Sequence, residues 1–160
     1  MYESWWGFQS LPKLNSRDES WREFLCGENG IVRHWLRLGA DGWRLDVVDE
    51  YPDELVRMIR QAARAEKPDA LIIGEVWEDA SCKEAYGEHR QYLMGHELDS
   101  VMNYPLRQAI LDFLLRGDGA AFRLRRWELR EHYPRPGGDV MMTRLSRHTD
   151  PRASTALGGP

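Results

Sequence analysis

The chain has 160 residues, of which 42% are hydrophobic and 30% charged, and this length suits one domain with a sizeable core. Its net charge of −4 argues against the strongly basic surface that nucleic-acid binding requires. The sequence has no run of 18 apolar residues and no basic segment followed by an apolar one at its N-terminus, so we expect neither a membrane span nor a signal peptide.

The first predicted elements are two helices and a strand. Residues 16–27 predict a short helix in which Ser16 is the N-cap and Glu19 completes a capping box. Residues 29–39 predict a second helix that ends at Gly39, with Ile31, Trp35 and Leu38 on its apolar face. The strand follows at 40–48, with the sequence ADGWRLDVV.

Helices and strands then alternate to the end of the chain. Pro52 opens a helix whose apolar face carries Leu55, Ile59 and Ala62, and Lys67-Pro68 ends it. The apolar run 70–77 predicts a strand that is buried on both faces. Further elements are a strand near 98–104, a helix opened by Pro105 with its inward side chains at Leu106, Ile110, Phe113 and Leu114, a helix at 120–133, and a possible strand at 139–145. This alternation predicts parallel strands joined by right-handed crossovers.

The two cysteines, Cys26 and Cys82, lie far apart in the sequence and form no CxxC motif. We interpret each as a free, buried thiol, which suits a reducing compartment and predicts a cytoplasmic protein.

Two carboxylates are expected at the same edge of the sheet. Alternation along the first strand places Arg44 and Asp46 on one face, and Glu75 shares a face with Leu71 and Ile73 on the next strand. Adjacent parallel strands lie about 4.8 Å apart, so carboxylates at their C-terminal ends can approach the separation of about 5–5.5 Å found in retaining glycosidases.

A retaining glycosidase needs one ionised carboxylate as nucleophile and one protonated carboxyl group as acid. Arg44 favours the charged form of Asp46, whereas Glu75 lies among Ile73, Val76 and Trp77, and this apolar setting is expected to raise its pKa. Spacing alone leaves a second interpretation open, in which Arg44 and Asp46 form an ion pair that fills a barrel interior and Glu75 is an exposed side chain.

These segments resemble the α-amylase superfamily, glycoside hydrolase family 13. DGWRLDVVDE at 41–50 and IGEVWEDA at 73–80 are similar to its second and third signature regions, on barrel strands four and five. LPKLN at 11–15 is similar to the motif that marks the neopullulanase and cyclomaltodextrinase branch. The resemblance implies an α/β fold, a partial (β/α)₈ TIM barrel of approximately strands four to seven, because a whole barrel needs about 250 residues. Residues 1–160 would then be a fragment of one catalytic domain, with 1–15 the end of the segment before strand four, and the isolated fragment is expected to be inactive.

The resemblance also implies roles for individual residues. Asp46 would be the nucleophile, Glu75 the general acid/base and Arg44 the partner of Asp46. The remaining substrate-binding positions would be Asp49 and Glu50 on the leaving-group side, Trp77 as a stacking ring and His148 as a sugar-binding histidine. A third carboxylate, Asp150, would stabilise the transition state.

One departure affects that third carboxylate. The family carries His-Asp at its fourth signature region, whereas this chain reads His148-Thr149-Asp150, with the aspartate and threonine exchanged. Adjacent residues in an extended chain face opposite ways, so Asp150 is expected to point to the other side.

The sequence therefore predicts a glycosidase that acts on malto-oligosaccharides, cyclomaltodextrins or pullulan and starch. Alternatives are a catalytically incomplete remnant, a glucan-binding module, or a related transglycosylase or isomerase. An α-glucan is the expected partner, with no nucleic acid and no membrane, and the full-length relatives would be homodimers. No cofactor is expected: some relatives use calcium, but Lys13 stands where metal-binding relatives carry an acid, so we expect no metal site in this segment.

Overall fold

The computed structural model describes residues 2–134, 141–146 and 152–158. Its six α-helices are α1 (Glu19–Cys26), α2 (Ile31–Arg37), α3 (Asp53–Glu66), α4 (Tyr104–Arg116), α5 (Gly119–His132) and α6 (Ala153–Ala156). Its five strands are β1 (Gly42–Leu45), β2 (Leu71–Gly74), β3 (Glu84–Ala85), β4 (Glu88–His89) and β5 (Ser100–Val101). Two single turns of 3₁₀ helix lie at Trp5–Gly7 and Val48–Glu50.

The central sheet is parallel, with the order β1-β2-β5. A parallel bridge between Met102 and Met142 extends this order by one position, where the sequence predicts a fourth strand at 139–145. Residues 135–140 lie outside the described ranges, and among residues 141–145 Met142 alone pairs with the sheet, so the predicted strand is reduced there to one bridge. The alternation of parallel strands and helices is confirmed, and it brings the C-terminal ends of successive strands to one edge.

Helix α3 covers the outer face of the sheet. Leu55, Ile59 and Ala62 are buried, as their spacing predicts, and they belong to the same apolar cluster as Ile72 on β2. Leu71, next to Ile72, is 46% exposed, so the expectation that 70–77 is buried on both faces is wrong. The described part of the chain packs closely against one face of this strand and leaves Leu71 open.

Several local predictions need correction. Helix α1 begins after Asp18, whose carboxylate accepts a hydrogen bond from the Trp21 N–H at 3.0 Å, and not after Ser16. An ionised N-cap also interacts favourably with the helix dipole, which accounts for the later start. On α2 the buried residues are Val32 and Leu36, whereas Trp35 and Leu38 are exposed.

Helices α4 and α5 pack against each other, and both begin with a side-chain cap. Asn103 accepts from the Leu106 N–H, and Asp118 accepts from the Ala120 and Ala121 N–H groups. The predicted inward side chains of α4 are wrong in part, since Phe113 and Leu114 are exposed and Leu111 is the buried residue. Phe113 instead stacks on Phe122 of α5. No helix in the described ranges is long and apolar enough to cross a membrane.

A two-stranded hairpin, β3-β4, was not predicted from the sequence. Its turn consists of Tyr86 and Gly87, both with positive φ angles of 56° and 80°. Two consecutive residues of this kind give the hairpin a turn whose twist matches its strands.

Candidate active site

Two carboxylates lie at the same edge of the sheet, as predicted. Asp46 follows β1 and Glu75 follows β2, and the parallel register pairs Leu45 with Gly74 immediately before them. The Glu75 N–H donates to the Leu45 carbonyl at 2.9 Å, which continues the ladder to the point where the strands end. Position in the fold therefore brings both acids to the C-terminal edge.

Arg44 contacts both carboxylates. Its Nη1 donates to Asp46 Oδ1 in a very short contact, so the predicted pairing of Arg44 with Asp46 is confirmed as geometry. Its Nη2 lies 2.8 Å from Glu75 Oε2, a contact that was not predicted. One guanidinium group thus faces two acids, a fork geometry that arginine supplies and lysine does not.

The Glu75 carboxylate is enclosed and accepts several hydrogen bonds. Its side chain is 2% exposed. Besides Arg44, its donors include the Val47 N–H at 2.9 Å, Trp77 Nε1 at 2.8 Å and the Tyr104 hydroxyl at 3.2 Å. The expectation that Glu75 lies in purely apolar company is therefore wrong. The residues next to Glu75 along the chain are apolar, but its carboxylate oxygens accept hydrogen bonds from donors that stabilise an anion.

The two acids differ sharply in accessibility. The Asp46 side chain is 70% exposed, whereas Glu75 is almost completely enclosed. An exposed carboxylate held by one arginine can approach a bound substrate, and an enclosed one is held in a fixed orientation. The expected separation of about 5–5.5 Å between their carboxyl groups stays a prediction.

Val47 adopts a conformation that turns its N–H toward Glu75. Its φ angle is 41°, in the left-handed region that a β-branched residue rarely occupies. Such conformations cost on the order of 1–3 kcal/mol and concentrate at functional sites. The sequence gives no signal for this turn, because valine is typical of a continuing strand.

Glu50, predicted to line the leaving-group side, accepts from neighbouring side chains. Trp6 Nε1 donates to its Oε1 at 3.0 Å and the Tyr86 hydroxyl donates to the same oxygen at 2.5 Å, while Lys13 Nζ lies 3.0 Å from Oε2. Burial by itself would raise the pKa of Glu50, but the groups of Tyr86, Lys13 and Trp6 outweigh it and hold the pKa below its usual value.

Asp49, which was also predicted on the leaving-group side, anchors the loop that follows β2. Its Oδ1 accepts from the buried Tyr92 hydroxyl at 2.6 Å, and its Oδ2 lies 3.1 Å from Lys83 Nζ. Its backbone carbonyl accepts from Arg90 at 2.8 Å. Both carboxylate oxygens therefore have protein partners, which gives Asp49 a structural role, and its place on the leaving-group side stays a prediction.

Aromatic rings stand beside the acids. Trp77 is 39% exposed and meets Trp6 edge to face, with centroids 5.7 Å apart and ring planes at 86°. Trp6 stacks on Trp5 at 4.7 Å. Trp5 and Trp77 line one open groove together with the acids, and its walls include Arg44, Asp46, Glu75 and Tyr86.

Two predicted site residues, His148 and Asp150, lie outside the described residues, so their positions are not part of this geometry. Within the described ranges no group of three or more His, Cys, Asp or Glu side chains is arranged to hold a metal ion. Lys13 stands where metal-binding relatives are expected to carry an acid, and its ammonium group pairs with Glu3 and Glu50.

Tyr104 is a site residue that sequence reasoning missed, and for Trp6 the sequence did not separate stacking on glucan from packing in the core. Tyr104 lies just beyond β5, so the rule that placed Asp46 and Glu75 at the ends of their strands could have found it. Trp6 lies 40 residues before Asp46 in an irregular segment, and no periodicity indicates where its ring points.

Comparison with known proteins identifies the family of this chain. Residues 2–158 match the family described as alpha amylase, catalytic domain. The chain is 34% identical over 161 residues to a cyclomaltodextrinase of Geobacillus thermopakistaniensis, covering 99% of this chain and 25% of that protein. It is 34% identical over 152 residues to neopullulanase 2 of Thermoactinomyces vulgaris, covering 94% of this chain and 24% of that protein.

Solved structures give the same result for the fold. The cyclic α-maltosyl-(1→6)-maltose hydrolase of Arthrobacter globiformis, in complex with its cyclic substrate, superposes with a TM-score of 0.87 at 28% identity. That match covers 99% of this chain and 34% of the hydrolase. The chain thus spans about a quarter of the two curated relatives named above, and its fold is a partial (β/α)₈ barrel. The paired acids at one edge of a parallel sheet, and a family match over nearly every residue, show that the chain belongs to the α-amylase catalytic-domain family, on its neopullulanase and cyclomaltodextrinase-like branch.

Proposed function

We propose that this chain carries the catalytic acids of a glycoside hydrolase that cleaves α-glucosidic bonds with retention of configuration. The observation that carries the proposal is the pair formed by Asp46 and Glu75, which share Arg44 at the C-terminal edge of adjacent parallel strands. The relatives named cyclomaltodextrinase and neopullulanase support an α-glucan as the substrate.

In this mechanism Glu75, whose donors favour the anion in the free chain, first takes up a proton as substrate displaces water from the groove. Asp46 then attacks the anomeric carbon, and the leaving oxygen takes that proton from Glu75. The exposure of Asp46 allows it to reach the sugar as a nucleophile, and its contact with Arg44 holds the carboxylate in place. The C–O bond to the leaving group breaks as the bond to Asp46 forms, giving a glycosyl ester. Glu75, now a carboxylate, then takes a proton from the water that hydrolyses this ester.

The other predicted residues complete the proposal. Trp77 stacks on sugar beside the acid, and Asp49 and Glu50 border the leaving-group side. His148 binds sugar and Asp150 stabilises the transition state, subject to the exchanged order of Thr149 and Asp150. A cytoplasmic location and a homodimeric full-length protein belong to the same proposal.

The test is product analysis with matched variants. Because the chain is a partial barrel, it is first completed with the remaining barrel strands of a relative. This completed barrel is incubated with maltohexaose and with a cyclomaltodextrin, and the anomeric form of the first product is followed by proton NMR. We expect the α-anomer first, and Asp46→Asn and Glu75→Gln should each lower the rate by at least about 10³-fold, as loss of a group acting in the transition state does.

Asp41→Asn is the matched control. Asp41 precedes the same strand at its other end, is 91% exposed and pairs with Lys67, so the same change there should leave turnover intact. Initial formation of the β-anomer, or full turnover in Asp46→Asn, would reject the retaining mechanism. Binding of maltohexaose without any turnover would instead favour the incomplete remnant or the glucan-binding module, and transfer products would favour a transglycosylase or isomerase.

A further inference from the structure

We propose that Trp6 and Glu50 are positioning residues that hold the indole of Trp77 in place against the Glu75 carboxylate. The inference rests on the proposed function and deepens it, because it explains how the proton donor of that site keeps its orientation. It rests on contacts that run from the N-terminal segment to the acid.

The contact at the acid is a hydrogen bond from Trp77. Its Nε1 donates to Glu75 Oε1 at 2.8 Å, the oxygen that also accepts from Tyr104 at 3.2 Å. A rotation of the Trp77 ring would remove one of these donors. Since Trp77 is 39% exposed, the core alone does not fix its ring, and a neighbouring group must do so.

That neighbour is Trp6. Its ring meets Trp77 edge to face at 5.7 Å and 86°, a favoured arrangement for aromatic pairs that contributes about 0.5–1.5 kcal/mol. Trp6 comes from a separate part of the chain, 71 positions before Trp77 in sequence. It therefore adds a restraint that the strand carrying Glu75 cannot supply by itself.

Trp6 is held in an unfavourable conformation although it is 59% exposed. Its φ angle is 49°, in the left-handed region, where a bulky residue is a genuine outlier. A side chain so exposed gains little from burial, so core packing does not account for the strain. Conformations of this kind persist where surrounding contacts impose them, and they cluster at functional sites.

Glu50 supplies the main contact that imposes this conformation. Its Oε1 accepts from Trp6 Nε1 at 3.0 Å, and Glu50 itself is fixed by Tyr86 and Lys13. It ends the 3₁₀ turn that follows β1, so it is tied to the strand that carries Asp46. Trp5 also supports Trp6, because the two rings stack with their centroids 4.7 Å apart.

The N-terminal segment is itself folded back to present Trp6. Ser4 and Pro12 form an antiparallel bridge, and Trp5 N–H donates to the Leu11 carbonyl at 2.9 Å. Lys13 N–H donates to the Glu3 carbonyl at 2.9 Å, next to the side chain that pairs with Glu50. Backbone and side-chain contacts thus converge on the same ring.

The test is the fluorine NMR spectrum of the whole 160-residue chain labelled with 5-fluorotryptophan, in which each tryptophan gives one signal. Trp77→Phe assigns the Trp77 signal. Trp6→Ala should displace the Trp77 signal and leave the signals of Trp21, Trp43 and Trp127 in place. Trp127→Phe is the matched control, since Trp127 is also 59% exposed but lies on α5, and it should not move the Trp77 signal.

Glu50→Gln gives a second measurement if Trp6→Ala disturbs the whole spectrum. The amide keeps the size of the side chain but removes the charge that Lys13 pairs with, so the Trp77 signal should shift in the same direction by a smaller amount. Glu75→Gln should shift it as well, because the acceptor of the Trp77 N–H changes. A Trp77 signal that is unmoved in Glu50→Gln, or unmoved in Trp6→Ala with the other signals intact, would overturn the proposal.

A kinetic comparison separates positioning from general stability. Fluoride leaves without needing a proton, whereas a sugar leaving group needs one. Trp6→Ala should therefore lower kcat for maltotriose at least about tenfold more than kcat for α-maltosyl fluoride, and equal losses would contradict positioning of the acid. Both rates are measured in the completed barrel. If it turns over neither substrate, the proposed function fails, while the fluorine spectra still decide whether Trp6 holds Trp77.

Discussion

The two thiols of the chain lie in contrasting environments. Cys26 is 9% exposed on α1, and burial raises the pKa of its thiol to about 11, with Arg33 and Arg22 opposing this only in part. Cys82 is exposed in the loop after β2, so the prediction that both thiols are buried is wrong for Cys82, and the prediction that both are free is confirmed. That loop is held by polar contacts and carries few apolar side chains to cover the thiol.

This contrast predicts selective alkylation. With iodoacetamide at pH 8, Cys82 should react and Cys26 should remain unmodified until urea unfolds the chain, because the thiolate is the reactive form and both burial and the raised pKa suppress it. Intact mass spectrometry should show one adduct in the folded chain and two in urea. Two adducts without urea would show that α1 opens readily, and Cys82→Ser should abolish the first adduct.

At the scale of single residues, period-two alternation was sufficient to place Arg44, Asp46 and Glu75. It failed at Val47, whose left-handed backbone conformation ends the alternation. Valine is typical of strands, so the residue type does not indicate such a conformation. It also failed for the surroundings of Glu75: sequence neighbours indicate which side chains flank a residue along the strand, whereas its hydrogen-bond donors include Tyr104 from the next strand–helix unit.

Among the secondary-structure elements, Asp99 connects a strand with the helix that covers it. Its Oδ2 accepts from the Ile72 N–H of β2 at 2.9 Å, and its Oδ1 accepts from Arg60 and Arg64 of α3 at 2.7 and 2.8 Å. Burial by itself would raise the pKa of Asp99, but the Ile72 N–H and the two arginines outweigh it and hold the pKa below its usual value.

We therefore expect Asp99→Asn to lower the free energy of unfolding by about 2 kcal/mol at pH 7, the scale of hydrogen bonds to a charged group. Urea unfolding followed by circular dichroism measures it. The matched control is Asp112→Asn on α4, whose contact with Arg116 is 3.7 Å long and partly exposed, and which should change the free energy by less than about 0.5 kcal/mol.

The same substitution has a defined pH dependence. A carboxyl group whose pKa is lowered by folding contributes stability above its unfolded pKa, about 3.9, and loses that contribution as the pH falls through the folded value. The difference between the wild-type chain and Asp99→Asn should be constant from pH 7 to about pH 5 and should shrink below about pH 4. A difference that is unchanged at pH 3 would mean that the charge of Asp99 is not what stabilises the contact.

The elements themselves were predictable where a local signal is strong. Pro52 and Lys67-Pro68 enclose α3, and the Asn-Tyr-Pro sequence opens α4, as expected. Strand β1, which precedes Asp46, is shorter than the predicted range 40–48, because the chain leaves the hydrogen-bonded ladder at Val47. The β3-β4 hairpin was missed, since its strands have two residues each and show no hydrophobic alternation.

At the scale of the whole molecule, apolar side chains remain uncovered on the helix pair α4-α5. Their exposed members are Phe113, Leu114, Leu115, Leu124 and Trp127. The open face of β2 adds Leu71, at 46% exposure. Patches of this kind on a single chain mark surfaces that pack against other protein.

We expect the 160-residue chain, expressed by itself, to self-associate at micromolar concentrations. Sedimentation velocity should show species larger than 18.7 kDa whose proportion rises with concentration. Leu114→Lys combined with Trp127→Lys should reduce the association, whereas Arg116→Lys on the same helix should not. A monodisperse monomer of the unmodified chain would contradict this prediction.

The overall architecture could be predicted because alternation of strands and helices, together with the signature segments, restricts the topology to neighbouring parallel strands. Exposure could not be predicted in the same way. Phe113 and Leu114 have the spacing of inward residues, but spacing shows only that a face is apolar and not whether the described part of the chain covers it.

The Arg44 fork has a consequence for the order of events during turnover. While Asp46 is a free anion, the positive charge of Arg44 is divided between two acids. In the proposed reaction Asp46 becomes a neutral ester, and the whole charge then faces Glu75 at the moment when Glu75 must act as a base. The same cation would thus serve the nucleophile in the first half of the cycle and the base in the second.

Arg44→Lys separates the two halves, because a single ammonium group cannot face both carboxylates in the planar fork. With an aryl maltoside whose leaving group needs no proton, the glycosyl ester on Asp46 should accumulate in this variant and appear by intact mass spectrometry as an adduct that water removes slowly. Slowing of the first step alone, without an adduct, would show that Arg44 serves only the first. Arg44 would then pair with both acids before the ester forms and with Glu75 alone while the ester exists, so one side chain would support the two steps in turn.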